Sequence, residues 1–180
     1  MPNWCRNTLA VLGAHDALAR FQTFAEGEVT YSNGSSDHLS LLFENFVPLP
    51  EALRRRGFGD HHDPQEQAEQ NRIDAELTER YGYSNRRDFC FKEWGTKWQP
   101  DDVAVAGIDG GIAYDFATAW TPPVPIVIAA SMRFPELRFI LTYSEYMCGY
   151  RGELEYEGGE VVRHDHERWN AFAEWDEPQY

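Results

Sequence analysis

Two tryptophans and a lysine fall within five residues at Trp94-Gly95-Thr96-Lys97-Trp98. An indole offers a flat stacking face and one N–H donor, and an ammonium group lies readily over such a face. Gly95 between them permits a tight turn or the close approach of another group. Groups of matching chemistry stand elsewhere, at Asn3, Trp4, Asn7, Trp120 and Glu145. Brought together, they are candidates to bind a small molecule or nucleotide-like ligand, because stacking a base on an aromatic ring contributes about 1–3 kcal/mol. The alternative is a packed polar-aromatic network, with Lys97 paired to Glu145 or a carbonyl and the indole N–H groups bonded to backbone.

Other chemistry is poorly served. His61-His62-Asp63 and His164-Asp165-His166-Glu167 lack the i,i+4 spacing of a helical zinc-binding His pair, and Cys5, Cys90 and Cys148 show no C-x-x-C spacing. Neither a metal nor a cofactor is expected. Residues 107–111 (GIDGG) are too short and wrongly flanked to cradle a phosphate, and they read as a turn. Serine stands in no nucleophile elbow, and nothing in the spacing sets a histidine beside Cys5 or Cys148. The expectation leans away from an enzyme.

Glu153, Glu155 and Glu157 alternate with Leu154 and Tyr156, which makes a strand with an acidic row on one side. That row is a candidate docking surface for a basic host protein. It also suits a solvated strand face that discourages edge pairing. The formal net charge of −14 and pI near 4.7 disfavour direct nucleic-acid binding, which needs clustered Lys and Arg. From Ser144 onward ten acidic residues face three basic ones, whereas Arg54-Arg55-Arg56, Arg86-Arg87, Lys92 and Lys97 lie earlier. With 42% hydrophobic and 14% aromatic residues, the 180-residue chain reads as one globular domain. Neither a signal peptide nor a membrane-length apolar run is evident, so a reduced cytoplasmic location is the default expectation.

The elements that would position these groups follow from pattern. Thr8 to Leu12 reads as a buried strand, and Leu18, Phe21 and Ala25 mark a helix after Asp16. Leu39 to Phe46 is strongly apolar and reads as a second strand, stopped by Pro48-Leu49-Pro50. A polar, helical stretch then runs from Asp63-Pro64 through Ile73, Leu77 and Tyr81 to Gly82. It reads as an insertion at about 51–98 whose exit carries the tryptophan motif. Two strands flank Asp109-Gly110, a helix follows Pro125, and Leu137 to Tyr143 alternates as a strand. The acidic strand comes next, and Trp169, Phe172 and Ala173 suggest a last amphipathic helix. The order implies an α+β fold of ferredoxin-like type. Its antiparallel sheet would carry helices on one face, the helical insertion between its two halves, and a C-terminal helix.

The opening residues 1–7 (MPNWCRN), Val47-Pro48-Leu49-Pro50, Tyr81-Gly82 with Asn85, the tryptophan motif, Thr118-Ala119-Trp120-Thr121-Pro122-Pro123, and Glu145 with Gly149 and Gly152 form a recognisable combination. It resembles the YubB-like proteins with a ferredoxin-like domain, which occur on plasmids, phages and bacterial genomes. The chain departs from that pattern between Arg86 and Phe91, where the family carries more tryptophan and tyrosine. The resemblance implies the fold and a mobile-element setting, and it brings no established activity. Three expectations stand side by side: a non-enzymatic binding protein, acting in counter-defence or on a host factor; a small-molecule binder or enzyme at the tryptophan motif; and a structural accessory domain.

Overall fold

A computed structural model describes residues 3–30, 34–54 and 63–168. The elements run, in order, β1 (Trp4–Leu12), α1 (His15–Ala25), β2 (Gly27–Thr30), β3 (Ser36–Leu39), α2 (Phe43–Phe46), α3 (Glu51–Arg54), α4 (Pro64–Tyr81), α5 (Arg86–Phe89), a π-helical turn (Cys90–Trp94), β4 (Asp101–Ile108), β5 (Gly111–Ala119), α6 (Val124–Arg133), β6 (Arg138–Glu145), β7 (Tyr150–Glu157) and β8 (Glu160–Arg168). Six strands form one antiparallel sheet in the order β4-β5-β1-β6-β7-β8. Taken alone, β1-α1-β4 and β5-α6-β6 are the two split strand–helix–strand units of a ferredoxin-like fold, and β7 and β8 extend the sheet as a meander. The segment between α1 and β4 contains the β2–β3 hairpin, α2 to α5 and the π-helical turn.

Alternation along the strands decides which face is buried. On β1, Cys5, Leu9 and Val11 point inward with Asn7, and on β6 Phe139, Leu141 and Tyr143 do the same. Phe21 of α1 sits at the middle of this layer, with its ring edge-on to Tyr114, Phe134 and Phe139. Ile126, Val127 and Ala130 bury one side of α6. The opposite sheet face carries Arg6, Thr8, Asp115, Thr142, Ser144, Arg151 and Glu153 and is open to water, as an antiparallel sheet with one-sided cover permits.

Some sequence expectations need correction. Leu39 to Phe46 is not a strand: β3 ends at Leu39, and a helical turn occupies Phe43–Phe46. Leu41, Leu42 and Phe43 are buried as expected, but they pack under α1, where the Leu42 N–H donates to the Ala25 carbonyl at 2.7 Å. A short apolar run reports burial and does not distinguish strand from helix. The acidic row does not lie at an edge, and its three carboxylates differ: Glu157 is exposed, Glu153 half-buried and Glu155 buried. β8 covers β7, Arg138 pairs with Glu155 at 2.5 Å, and Arg163 pairs with Glu153 at 3.1 Å. Expectations at His61, His62 and the last helix (Trp169, Phe172, Ala173) lie outside the described residues.

The α4 reading agrees with its caps. Asp63 accepts from the Gln65 and Glu66 N–H groups at 2.7 and 3.3 Å, and Gly82 closes the helix at φ 79.

Candidate functional site

The two tryptophans of the motif have opposite fates. Trp94 ends the π-helical turn fully buried, its Nε1–H donated to the Val47 carbonyl at 2.8 Å and its ring edge-on to Phe43 and Phe89. It is core, with no face left for a ligand. The chain then reverses at Gly95 (φ 77), where a side chain would meet Pro125 Cδ at 2.8 Å and the Pro122 carbonyl at 2.9 Å. Thr96 is buried and donates to the Ala119 carbonyl at 2.9 Å. Lys97 and Trp98 emerge half-buried, and the Lys97 ammonium sits 4.5 Å from the Trp98 ring centre.

Trp98 lies against Trp4, with ring centres 6.4 Å apart and planes inclined at 44°. Trp4 is 37% exposed and stands opposite the buried Ala119 at the end of β5. Trp120 follows at 41% exposure and in the left-handed region, φ 74. For a residue other than glycine that conformation costs about 1–3 kcal/mol. Bonds on both sides hold it: its N–H donates to the Asn3 carbonyl at 2.9 Å, and its carbonyl accepts from the Tyr150 hydroxyl at 2.5 Å.

Asn7 and Glu145 do not reach this corner as ligand groups. Asn7 is buried and donates to the Thr118 hydroxyl at 2.9 Å and the Cys5 carbonyl at 3.0 Å. The Glu145 carboxylate is 1% exposed and accepts from the Met147 N–H at 3.1 Å and from the Cys148 N–H, so it ties down the β6–β7 turn. The expected Lys97–Glu145 pairing is replaced by cation–ring contact at one residue and turn capping at the other. Asn3 donates to Cys148 Sγ at 3.5 Å.

Thiol chemistry is not prepared here. Burial pushes the Cys5 thiol up to about 12, and the neighbouring Glu145 raises Cys148 by hydrogen bonding. Among the described residues no three of His, Cys, Asp and Glu gather in a metal-holding group. His164 and His166 share one face of β8, while Asp165 and Glu167 take the other.

Sequence reasoning missed Arg6 and Arg151, which line a trough of about 680 Å³ on the open sheet face with Thr8, Thr142, Ser144 and Glu153. The strand read from the sequence begins at Thr8, whereas β1 begins at Trp4, so the outward alternation of Trp4, Arg6 and Thr8 was the signal passed over.

Residues 93–179 match the family model described as the ferredoxin-like domain in Api92-like protein. This region is similar to that domain. The fold agrees with a wider comparison: the crystal structure of a protein api92 from Yersinia pseudotuberculosis superposes with a TM-score of 0.56 at 13% identity, covering 94% of this chain and 98% of that one. At that identity the likeness speaks for the fold alone. No curated protein matches the chain. Among the described residues no helix is long and apolar enough to cross a membrane.

Proposed function

We propose that this chain is a non-enzymatic binding protein that receives a flat ring at the corner formed by Trp4, Trp98 and Lys97, with Trp120 beside it. One observation carries the reading: two indoles meet at 6.4 Å on the surface, with an ammonium over one of them. Large aromatic surface is normally buried, and its grouped exposure marks a contact site. Trp120, kept at a costly backbone angle by two bonds, supports the same reading, because such strain concentrates at ligand sites.

This reading is favoured over a basic host protein docked on Glu153, Glu155 and Glu157, since arginines of the same face already compensate that row. The mobile-element setting implied by the YubB-like resemblance and a cytoplasmic location belong to the proposal as well.

The test is titration of the intact protein with adenosine, read by tryptophan fluorescence. Saturable quenching that Trp98→Ala abolishes is expected. An unchanged spectrum at millimolar adenosine removes the proposal.

A further inference from the structure

The six-stranded sheet ends at β8, and among the described residues no strand lies beyond it. All nine residues of β8 are exposed. Such an edge presents unpaired backbone N–H and C=O groups, a ready template for another strand. Val161 and Val162 lie exposed on it, and the exposed Met132 of α6 packs against Gly159 in the turn that leads into it. A bulge falls at Val162, between the Val161–Tyr156 and Arg163–Glu155 pairs, so the regular part of the edge begins at Arg163.

The charges along β8 complement themselves about His164. In an antiparallel pair of two copies centred there, Arg163 of each stands opposite Asp165 of the other, and Val162 stands opposite His166. His164 then meets its own copy on the twofold axis. Moving the axis by one residue sets Arg163 against Arg163 or Asp165 against Asp165, and parallel in-register pairing sets like against like throughout. Arg163 already bonds Asp165 and Glu153 of its own chain at 2.6 and 3.1 Å. It is still more than half exposed, and its five N–H donors can serve a third carboxylate. The opposite edge, β4, has only Asp101 and Asp102 as charged residues and offers no such complement.

We infer that β8 is a self-association edge, through which two copies of this chain join antiparallel about His164 into one continuous sheet. The pair is closed, since each copy uses the same strand. The contact is an edge rather than a face, and the bulge keeps it from lengthening. It therefore belongs with the small, reversible interfaces, under about 1,200 Å². The net charge of −14 per copy does not forbid it. At physiological ionic strength surface charges act over about 8 Å, and β8 itself is nearly balanced, with Glu160, Asp165 and Glu167 against Arg163 and Arg168.

The experiment is sedimentation velocity of the intact chain over a wide concentration range, with Asp165→Arg and the exchange Arg163→Asp/Asp165→Arg measured alongside. The parent should move from 20.8 kDa towards twice that mass as concentration rises. Asp165→Arg turns both cross-copy pairs into like charges and should weaken association about tenfold. The exchange should restore it, since residue 165 stands opposite Glu153 and an arginine there keeps that carboxylate paired. In a Cys148→Ser background, His164→Cys should form a disulfide between copies under mild oxidation. Glu160→Cys, four residues from the axis, should not. Circular dichroism checks that each variant folds.

A chain that is monomeric at every concentration, whether its own residues 169–180 occupy the edge or nothing does, overturns the inference. A dimer that ignores Asp165→Arg, or whose His164→Cys variant does not crosslink, overturns it in favour of another face. A folded exchange variant that fails to recover association overturns the register about His164. None of these outcomes depends on the ring site, so the two readings stand or fall separately.

Discussion

Trp94 and Trp98 are four residues apart in one motif, yet the structure assigns them costs that differ several-fold. Trp94→Ala removes an indole at 0% exposure, between Phe43 and Phe89, and leaves the Val47 carbonyl without its 2.8 Å donor. Deleting a fully buried aromatic costs about 3–5 kcal/mol. Most of that is lost packing, and an orphaned acceptor accounts for about 1–3 kcal/mol where it stays dry. Trp98→Ala deletes the same atoms from a half-exposed ring in contact with Trp4 and Lys97, where an aromatic pair contributes about 0.5–1.5 kcal/mol. At about 2–4 °C per kcal/mol for a chain of this size, Trp94→Ala should lower Tm by roughly 6–20 °C and Trp98→Ala by a few degrees at most. Urea denaturation and calorimetry of both variants measure the difference. Trp94→Phe separates the contributions, since it keeps most of the ring and loses the donor. Equal losses at the two positions would refute the division of the motif into one core and one surface tryptophan. So would a Trp94 indole N–H that exchanges with solvent as fast as that of Trp98.

Further outcomes are expected from single changes. Gly95→Ala forces a side chain into the left-handed region and against Pro125 and Pro122, so it should destabilise by about 1–3 kcal/mol in chemical denaturation, whereas Gly82→Ala, with open space around it, should cost less. Alkaline stability should fall in a defined window. The Cys5 and Cys90 thiols are held up to about 12 and about 11 by burial, so their protonated forms stabilise the fold fully below the ordinary thiol value of 9.0, and that contribution is lost as pH rises through the raised values. Replacing both with alanine or serine should flatten the slope of the denaturation midpoint between pH 9.0 and about 11, and an unchanged slope would count against it. At the acid end, Arg138 holds the Glu155 carboxyl below its ordinary range, so its stabilisation is present above that range and lost as pH falls through the lowered value. Glu155→Gln should therefore show a shallower acid limb than the parent chain.

The sheet was readable wherever one side of a strand is buried. Leu137, Phe139, Leu141 and Tyr143 alternate because β6 lies over the helices, and the Asp109-Gly110 turn announces its hairpin. β8 was not readable, because each of its nine residues is exposed and its sequence holds no apolar alternation. The acidic row was misjudged for a related reason. Its compensating arginines, Arg138 and Arg163, come from the neighbouring strands, and register is a tertiary property. At the candidate site, residue types revealed that tryptophan and lysine would cluster. They did not reveal which tryptophan would be core. Trp94 and Trp98 are the same residue type, and burial was decided by Gly95 between them, where the chain turns back over α6.

That turn explains why the two most distinctive sequence blocks occur together. Thr96 donates to the Ala119 carbonyl, and Thr121 donates back to the carbonyl of Gly95. Residues 94–98 and 118–123 are thus one clasp, closed by reciprocal side-chain bonds across 23 and 26 residues of chain. Gly95 lets the two sides of the clasp approach, since any side chain would strike Pro122 and Pro125. Trp94 anchors one end in the core through Val47, and Trp120 is fixed at the other through Asn3 and Tyr150. Lys97 and Trp98 are what the clasp leaves outside, and they are set against Trp4 by a backbone pinned on both sides. A side-chain pair that served packing alone would gain little from such support, because packing needs burial, and here Trp4 is exposed and Trp98 only half-buried. Rigid presentation of exposed rings lowers the ordering cost of binding. Thr96→Val, which keeps the shape and removes the bond to Ala119, should therefore weaken adenosine quenching by more than its stability loss explains. If quenching by adenosine is unchanged while stability drops, the clasp supports the fold and the corner owes it nothing.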